Sequence, residues 1–332
     1  MKPVVCIYAN CQGEALGRLL RQHPSLAGQE FVVLKAWLQE QPSDDQLARC
    51  EVLIYQDSFG MPAFLDRPAI DARRVCIPLL TCSFLWPYGF DKPNEPVGWR
   101  FPYGDRYLIG QLRQGVAPAQ ATADYAALDL STKLDLDRLR DMEVQKWLRY
   151  DANTDVRMGE FLQQHVLSHR LFFTPDHPTD VVMIELCNQV LAKLGQPPFG
   201  WPSWQGYSHS LAGTEVPVHP SVLRHFGVSW LTPEHRYPLH GGYLSLDAAA
   251  CYARYAAALQ APSMAEGLRE AVGAIARQDD AAALNICNLI RLRAPQQPWA
   301  LAAIALVQAL HGQRAEAAAQ LLAAMPADLD FT

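Results

Sequence analysis

The sequence predicts an α/β fold built on a parallel β-sheet with helices on both faces. Two observations support this fold class. Along the first third of the chain, short apolar runs typical of buried strands alternate with segments of helical character. In addition, polar residues directly follow three of these runs, as expected at the carboxyl ends of parallel strands. The chain has 332 residues, which is enough for one large domain and a smaller one.

The predicted strands and helices alternate from the N-terminus. The first strand covers residues 3–9, and the helix after it covers 13–21. Three more apolar runs predict strands at 31–34, 50–55 and 74–79. A short helix is expected over 43–48, because Ser43 can cap it and acidic residues favour its first turn. Strands and helices that alternate in this way form a parallel sheet through right-handed crossovers.

Large irregular and helical segments follow these units. Residues 84–104 are rich in Trp, Pro, Tyr and Gly, and their rings either line a pocket for a sugar or adenine or cover the core. Residues 124–141 carry many charges and predict an exposed helical connection, whereas 143–169 has helical apolar spacing. A further apolar helix is predicted over 181–194, ending at Gly195.

The C-terminal part of the chain is rich in Ala and predicted to be helical. Pairs such as Ala271 and Ala305 match at an offset of 34 residues, the period of a tetratricopeptide-like repeat, although alanine is common enough there for chance matches. We predict an α/β domain over 1–247 with a helical insertion at about 105–170, and a helical appendage over 248–332.

Charge and composition exclude several classes of function. The formal net charge is −6 and no Lys/Arg-rich run occurs, which argues against nucleic acid or an anionic membrane as a partner. No apolar run approaches the roughly 20 residues of a membrane span. No secretory leader precedes the first strand, so we expect a cytoplasmic protein.

The cysteines and histidines show no metal-binding pattern. The eight cysteines are scattered without a CxxC pair, and the ten histidines include no HExxH motif. We therefore expect reduced thiols and no metal. Phosphate-binding loops are missing as well, since neither a Walker sequence nor a GxGxxG after a strand occurs. No GxSxG elbow is present, and the His-Gly-Gly sequence at 240–242 is interpreted as a turn.

Cys11 lies at the turn between the first predicted strand and helix. Backbone N–H groups at a helix start carry partial positive charge, which favours a thiolate and can also hold an oxyanion. We therefore predict that Cys11 is a nucleophile with a lowered pKa. The alternative is a core cysteine in an ordinary loop, because free cysteine is often buried.

A second candidate element is the Thr-Pro-Asp-His-Pro-Thr sequence of residues 174–179. Pro178 suits the first turn of the helix that follows, which places His177 at the helix start. Positive partial charge there keeps an imidazole neutral, as a general base requires. Together with Cys11 it predicts a Cys–His dyad. The alternative is a helix-capping loop that contains a histidine.

Three polar strand ends are expected at the same edge of the sheet, where ligands bind in open parallel sheets. They are Asn10-Cys11, Gln56-Asp57-Ser58 and Thr81-Cys82-Ser83. This edge is the predicted functional site.

The residues named so far resemble a known family. The Ala-Asn-Cys-Gln sequence around Cys11, the strand end at Gln56 and the 174–179 sequence are similar to the WcbI family of polysaccharide-biosynthesis acetyltransferases, over about residues 3–200. The resemblance implies a fold like that of SGNH/GDSL hydrolases, a flavodoxin-like three-layer sandwich. It also implies binding of coenzyme A or acetyl-CoA and O-acetylation of a capsular sugar, with 6-deoxy-heptose as the most specific suggestion.

The resemblance also implies roles for individual residues. Cys11 takes the position of the nucleophilic serine of SGNH hydrolases, and His177 that of their base. Thr174 stands where those enzymes have an aspartate. Asp176 is a catalytic candidate, but it adjoins His177 in sequence, so the third member stays open and a Cys–His dyad is favoured. The oxyanion or the substrate is expected to be held by Asn10, Gln12, Gln56 and Ser83, with the backbone N–H groups of Cys11 and Gln12. The cations expected to hold the coenzyme phosphates are Lys146, Arg149 and Arg157, on the charged middle helices.

Two mechanisms and two other functions stay open at this point. Either His177 deprotonates Cys11 and an acetyl-enzyme forms, or His177 activates the sugar hydroxyl for direct attack on acetyl-CoA. A carbohydrate esterase with the same dyad is the first alternative function. The second is a non-catalytic protein that binds coenzyme A and docks a capsule-assembly partner through its helical C-terminal part.

Overall fold

The computed structural model describes residues 2–60, 62, 64, 72–89, 103–199, 211–232, 234–239 and 244–258. The chain divides into two compact units. The first is Met1–Pro87 with Asp129–Pro233, and the second is Tyr88–Leu128 with Glu234–Thr332. Most of the 84–104 segment, the turn at 240–242 and the repeat after 258 lie outside the described residues. The domain boundary at 247 therefore stays a prediction.

The secondary structure follows the expected alternation. In chain order, the strands are β1 (Val4–Ala9), β2 (Glu30–Lys35), β3 (Cys50–Gln56), β4 (Arg73–Ile77), β5 (Phe172–Thr174), β6 (His177–Pro178), β7 (Tyr237–Leu239) and β8 (Leu244–Leu246). The α-helices are α1 (Cys11–Gln22), α2 (Asp44–Ala48), α3 (Arg106–Arg113), α4 (Pro118–Ala127), α5 (Leu136–Asn153), α6 (Gly159–His165), α7 (Asp180–Lys193), α8 (Pro220–Phe226) and α9 (Ala248–Ala258). In the part of the chain described here, no helix has the length and apolarity needed to cross a bilayer.

A four-stranded parallel sheet lies at the centre of the first unit, in the order β2-β1-β3-β4. Helices flank the sheet, so the predicted α/β class with a three-layer arrangement is confirmed. β4 ends at Ile77 rather than at residue 79, because Pro78 lacks the N–H group that would continue the ladder. The carboxyl ends of β1, β3 and β4 therefore lie at one edge, as the sequence predicts.

Both faces of β1 are buried, as expected for a central parallel strand. On one face, Cys6 and Tyr8 pack in an apolar cluster with Leu47 of α2. On the other face, Ile7 and Ala9 lie directly under α1. The core of the first unit therefore extends through the sheet from α2 to α1.

Two glycines allow α1 to approach the sheet closely. A Cβ atom on Gly13 would lie 2.8 Å from the Ala9 Cβ, and one on Gly17 would lie 2.9 Å from a Val33 methyl carbon. At contacts this short the neighbouring atoms would have to shift. The helix also begins at Cys11 itself, two residues earlier than predicted, because the Asn10 side chain caps it by accepting from the Gln12 N–H.

The predicted helical stretch over 143–169 is interrupted after Asn153. The Asp151 carboxylate accepts hydrogen bonds from the backbone N–H groups of Met158 at 2.7 Å and Gly159 at 2.8 Å. These bonds satisfy N–H groups at the start of α6, so a new helix begins there. The segment predicted as one exposed connection over 124–141 is likewise divided, between the end of α4 and the start of α5.

Asp155, in the loop after α5, forms hydrogen bonds with the backbone of β4. The Cys76 N–H donates to the Asp155 carboxylate at 2.7 Å, and the Asp155 N–H donates to the Cys76 carbonyl at 2.9 Å. Asp155 therefore occupies the hydrogen-bonding groups of β4 at this position.

The second unit contains α3, α4, α9 and the β7–β8 hairpin, with a buried carboxyl group among tyrosines. Asp105 caps α3 by accepting from the Leu108 N–H at 3.0 Å, and it accepts from the Tyr125 hydroxyl at 2.5 Å. Its backbone N–H donates to the Tyr255 hydroxyl at 3.1 Å. Burial raises the pKa of Asp105 to about 6, against the lowering effect of these donors.

The raised pKa of Asp105 predicts a pH-dependent stability. The protonated carboxyl is favoured in the folded state, so its contribution is present below about pH 4 and is lost as the pH rises toward 6. We expect Asp105→Asn to raise the free energy of unfolding by about 1–3 kcal/mol at pH 8 and to change it little near pH 4. Urea denaturation at the two pH values measures this. A variant that is no more stable than the wild type at pH 8 would contradict the raised pKa of Asp105.

Candidate active site at the carboxyl edge of the sheet

Hydrogen bonds join four segments at the carboxyl edge of the sheet. They are the turn between β1 and α1, the end of β3, the loop after β4 and the β5–β6 hairpin. The first three segments carry Asn10, Cys11, Gln12, Gln56 and Ser83, and the hairpin carries Asp176 and His177. The structure therefore brings most of the predicted site residues into one region of the first unit.

The side chains of Gln12 and Gln56 are completely buried and bonded to each other. The Gln56 Nε2 donates to the Gln12 Oε1 at 3.1 Å, while the Gln56 Oε1 accepts from the Asn10 N–H at 3.2 Å. The Gln12 Nε2 donates to the Leu80 carbonyl at 2.7 Å and to the Asp176 carbonyl at 2.8 Å. This pair connects the cysteine turn to the loop after β4 and to the hairpin.

The hairpin holds His177 on β6 rather than at the start of a helix, which corrects the sequence prediction. The Thr174 hydroxyl accepts from the His177 N–H at 3.0 Å and donates to the Asp176 carboxylate at 3.1 Å. The Cys82 N–H also donates to the Pro175 carbonyl at 2.7 Å. α7 begins only at Asp180, so Pro178 is a strand residue and not part of the first helical turn.

The prediction of a lowered pKa for Cys11 is wrong. Burial is the largest cause, and together with the nearby carboxylates of Asp176 and Glu14 it raises the pKa of Cys11 to about 12. The backbone N–H groups of Cys11 and Gln12 do lower this pKa, as expected at a helix start, but they are outweighed. Cys11 is nevertheless half-buried, whereas the other cysteines in the described ranges are buried.

The causes of the raised pKa predict how the Cys11 thiol reacts. Asp176→Asn removes a negative charge, so we expect a pKa decrease of about 0.5 to 1 and alkylation about three to ten times faster at pH 8. The measurement is the rate of iodoacetamide labelling of Cys11, read by peptide mass spectrometry between pH 7 and 10. Glu14→Gln provides a second variant with the same expected direction. Labelling of the wild type that is already maximal at pH 7 would contradict the raised pKa.

The imidazole of His177 has a lowered pKa, mainly because of burial. The Asp176 carboxylate and a hydrogen bond to the Leu211 backbone oppose this shift. A neutral imidazole at neutral pH is therefore expected, as the sequence predicts, although the cause is burial and not a helix terminus. Asp176 adjoins His177 in sequence and is bonded to Thr174.

The predicted oxyanion donors differ in their availability. The Gln12 N–H donates to the Asn10 Oδ1 at 2.9 Å, and the Gln56 amide donates to Gln12 and, at 3.5 Å, to the Pro78 carbonyl. These groups are already engaged within the protein, so their role as oxyanion donors stays a prediction. The Asn10 side-chain nitrogen has no hydrogen-bond partner within the described ranges and is the better candidate.

Ser83 belongs to a polar cluster around a buried carboxylate that the sequence analysis missed. Its hydroxyl donates to Glu143 at 2.8 Å, and the Lys146 Nζ lies 2.5 Å from the other carboxylate oxygen. The Trp147 indole N–H donates to the Thr81 carbonyl at 2.7 Å. Glu143 precedes Trp147 by four residues, so both lie on the same buried face of α5. A carboxylate at that spacing from a buried tryptophan was the sequence signal for a buried polar residue.

The three predicted phosphate-binding cations are not joined by any contact in the described part of the chain. Lys146 neutralises Glu143, whereas Arg149 is exposed on α5. Arg157 lies in the loop between α5 and α6, not on a helix, and the Gln189 side chain bonds to its backbone. Their role in holding a coenzyme stays a prediction.

Among the residues described, no group of three or more His, Cys, Asp or Glu side chains is placed to hold a metal ion.

Exposed apolar side chains lie beyond the two strands that flank β1. Trp37 and Leu38 follow β2 and are 49% and 59% exposed, and Phe59 follows β3 and is 38% exposed. Lys35 at the end of β2 pairs with Ala9, so these side chains and Cys11 lie at the same edge of the sheet. A contiguous apolar patch often marks a binding surface, whereas single exposed apolar side chains are common.

Comparisons with known proteins agree with the fold. A family model described as polysaccharide biosynthesis enzyme WcbI matches residues 4–198. A solved structure of WcbI, itself described as a novel polysaccharide biosynthesis enzyme, matches with a TM-score of 0.62 and 15% sequence identity, over 92% of this chain and 99% of that one. That structure is described as the native protein without a disulfide bond between coenzyme A and one of its cysteines. None of the curated proteins gives a significant match.

Proposed function

Because the chain belongs to the WcbI family of polysaccharide biosynthesis enzymes, we propose that it transfers an acetyl group from acetyl-CoA to a sugar hydroxyl of capsular polysaccharide. The observation that carries this proposal is the 2.8 Å bond from Gln12 to the Asp176 carbonyl, which ties the histidine hairpin to the cysteine turn. The most specific acceptor that we propose is a 6-deoxy-heptose residue. The proposed place of action is the cytoplasm, where acetyl-CoA is available.

Coenzyme A as the donor is supported by the description of the solved WcbI structure, which refers to coenzyme A and a cysteine of that protein. Cys11 is the half-buried cysteine at the carboxyl edge of the sheet here, and a ligand can approach it there. We propose that Cys11 lies beside the thioester of the bound donor.

Direct transfer is the mechanism that the charges favour. A nucleophilic cysteine acts as a thiolate, whereas burial and two carboxylates keep the pKa of Cys11 near 12. In the proposed reaction, neutral His177 takes the proton of the sugar hydroxyl while that oxygen forms a bond to the acetyl carbon. The carbon–sulfur bond breaks, and the proton passes from His177 to the departing coenzyme sulfur. We propose that the Asn10 side-chain nitrogen donates to the oxyanion that develops.

The acceptor side of the site is proposed to include the exposed rings of Trp37 and Phe59. Aromatic faces pack well against the C–H groups of sugars. Their positions beyond the strands on either side of β1 suit a sugar whose hydroxyl must reach the thioester. A polar site without such rings would be less suited to a sugar than this one.

The proposal is tested with the full chain, acetyl-CoA and a methyl 6-deoxy-heptoside. We expect native mass spectrometry to detect bound coenzyme A and NMR to detect an acetylated sugar. Acetate release without transfer to the sugar would indicate an esterase, and no heat of binding at millimolar coenzyme A would remove the donor. Cys11→Ser distinguishes the two routes, because loss of turnover with intact binding would require the acetyl-enzyme.

A further inference from the structure

We propose that Gln12 is a positioning residue that sets the place of His177 relative to Cys11. The inference rests on the proposed function only for its kinetic consequence. The Gln12 side chain forms four hydrogen bonds with three segments that are distant in sequence. One of them reaches the carbonyl of Asp176, the residue that immediately precedes His177.

The orientation of the Gln12 amide follows from its neighbours. The Asn10 N–H donates to the Gln56 Oε1, so the Gln56 Nε2 is directed at Gln12. The Leu80 N–H also donates to Gln12, at 3.2 Å. Two donors therefore face the Gln12 Oε1, and a rotated amide would set donor against donor. The Gln12 Nε2 is thereby directed at the Asp176 carbonyl.

Complete burial makes this arrangement costly to change. Gln12 and Gln56 both have no exposed surface, and a buried polar group left without a partner destabilises the folded state. A movement of the hairpin away from Gln12 would leave such groups unpaired. The bond from Gln12 to the Asp176 carbonyl therefore fixes the hairpin relative to the turn between β1 and α1.

The hairpin has other attachments, so loss of Gln12 would displace it without detaching it. The Pro175 carbonyl still accepts from the Cys82 N–H, and the Phe173 carbonyl still accepts from the Val216 N–H. A base displaced by about 1 Å loses about 100-fold in rate. The expected effect of removing Gln12 is therefore on the catalytic step and not on the existence of the fold.

The test uses Gln12→Met, which keeps the side-chain length and removes all four bonds. We expect kcat to fall about 10- to 100-fold with the affinity for coenzyme A changed less than about twofold, because a positioning residue acts on the transition state. In NMR titration, the pKa of the His177 imidazole is expected to move toward its ordinary value as the ring becomes more solvated. Gln12→Glu keeps a donor only while protonated, so its activity should fall as the pH rises.

Asn188→Ala is the matched control, because it also removes a side-chain bond to backbone, from the Phe199 N–H at 2.8 Å. Asn188 is on α7, and the Phe199 ring contacts His23. His23 follows the C-terminal end of α1, whereas Cys11 is at the N-terminal end of that helix. We expect Asn188→Ala to lower stability without changing kcat or the His177 titration.

Unchanged kcat and unchanged His177 titration in the Gln12 variants would overturn the inference, and so would equal effects of Asn188→Ala. If the wild type shows no transfer, the proposed function fails, and the titration alone decides the role of Gln12.

Discussion

Replacing His177 with alanine is expected to lower the rate of acetyl transfer by about 10²–10⁴-fold, the usual contribution of a general base. Burial lowers the pKa of this imidazole, so the neutral, proton-accepting form predominates at neutral pH. Coenzyme A affinity should change little, because a base that accepts a proton in the transition state contributes little to ground-state binding. The measurement is kcat for acetyl transfer, together with calorimetry of coenzyme A binding.

The pH profile gives a second readout for His177. Activity should rise with pH and reach half of its maximum below pH 6.5, since burial lowers the pKa of His177 from its ordinary value. His225→Ala is a suitable control, because that imidazole is partly exposed on α8 and pairs with Asp137. A folded His177→Ala protein with full activity would exclude both mechanisms and leave the hairpin with a structural role alone.

Replacing Trp147 with alanine is expected to lower the free energy of unfolding by about 3–5 kcal/mol. The side chain is only 2% exposed, and its ring lies edge-on to Phe84 at a centroid distance of 6.4 Å. The substitution would also leave the Thr81 carbonyl without the indole N–H that it now accepts. Urea denaturation monitored by circular dichroism measures the loss.

The neighbouring residue provides the control for Trp147. Leu148 is on the same helix and is 41% exposed, so Leu148→Ala should change stability by less than about 0.5 kcal/mol. Trp147→Phe keeps most of the ring and removes only the hydrogen bond, so its loss should be smaller than that of Trp147→Ala. Equal losses for Trp147→Ala and Leu148→Ala would contradict the packing seen here.

The strands of the first unit were predictable because each is a short apolar run with a polar end. β1, β2 and β3 lie within two residues of the predicted ranges, and Ser43 caps α2 as expected. The division after Asn153 was not predictable, since it depends on a carboxylate that reaches forward seven and eight residues. The SGNH-like relationship stays a prediction beyond the parallel sheet itself.

The sequence predicts which residues lie together at the carboxyl edge of the sheet better than it predicts their pKa values and hydrogen bonds. Cys11 and Gln56 could be placed at strand ends because a polar residue after a short apolar run marks such an end in the local sequence. The pKa of Cys11 depends on Asp176, which is distant in sequence and is brought close by folding. The bonds of Gln12 span up to 164 residues. Periodicity and spacing carry no information about contacts of that kind.

The pairing of Asp155 with Cys76 has a consequence for behaviour at high concentration. β4 is at the end of the strand order, and a strand edge with free N–H and C=O groups can recruit a strand from another molecule and start aggregation. Asp155 uses both backbone groups of Cys76 and brings a negative charge to the edge. A second chain could add there only by displacing these bonds and burying that carboxylate. The loop after α5 therefore acts as a built-in barrier to intermolecular sheet growth.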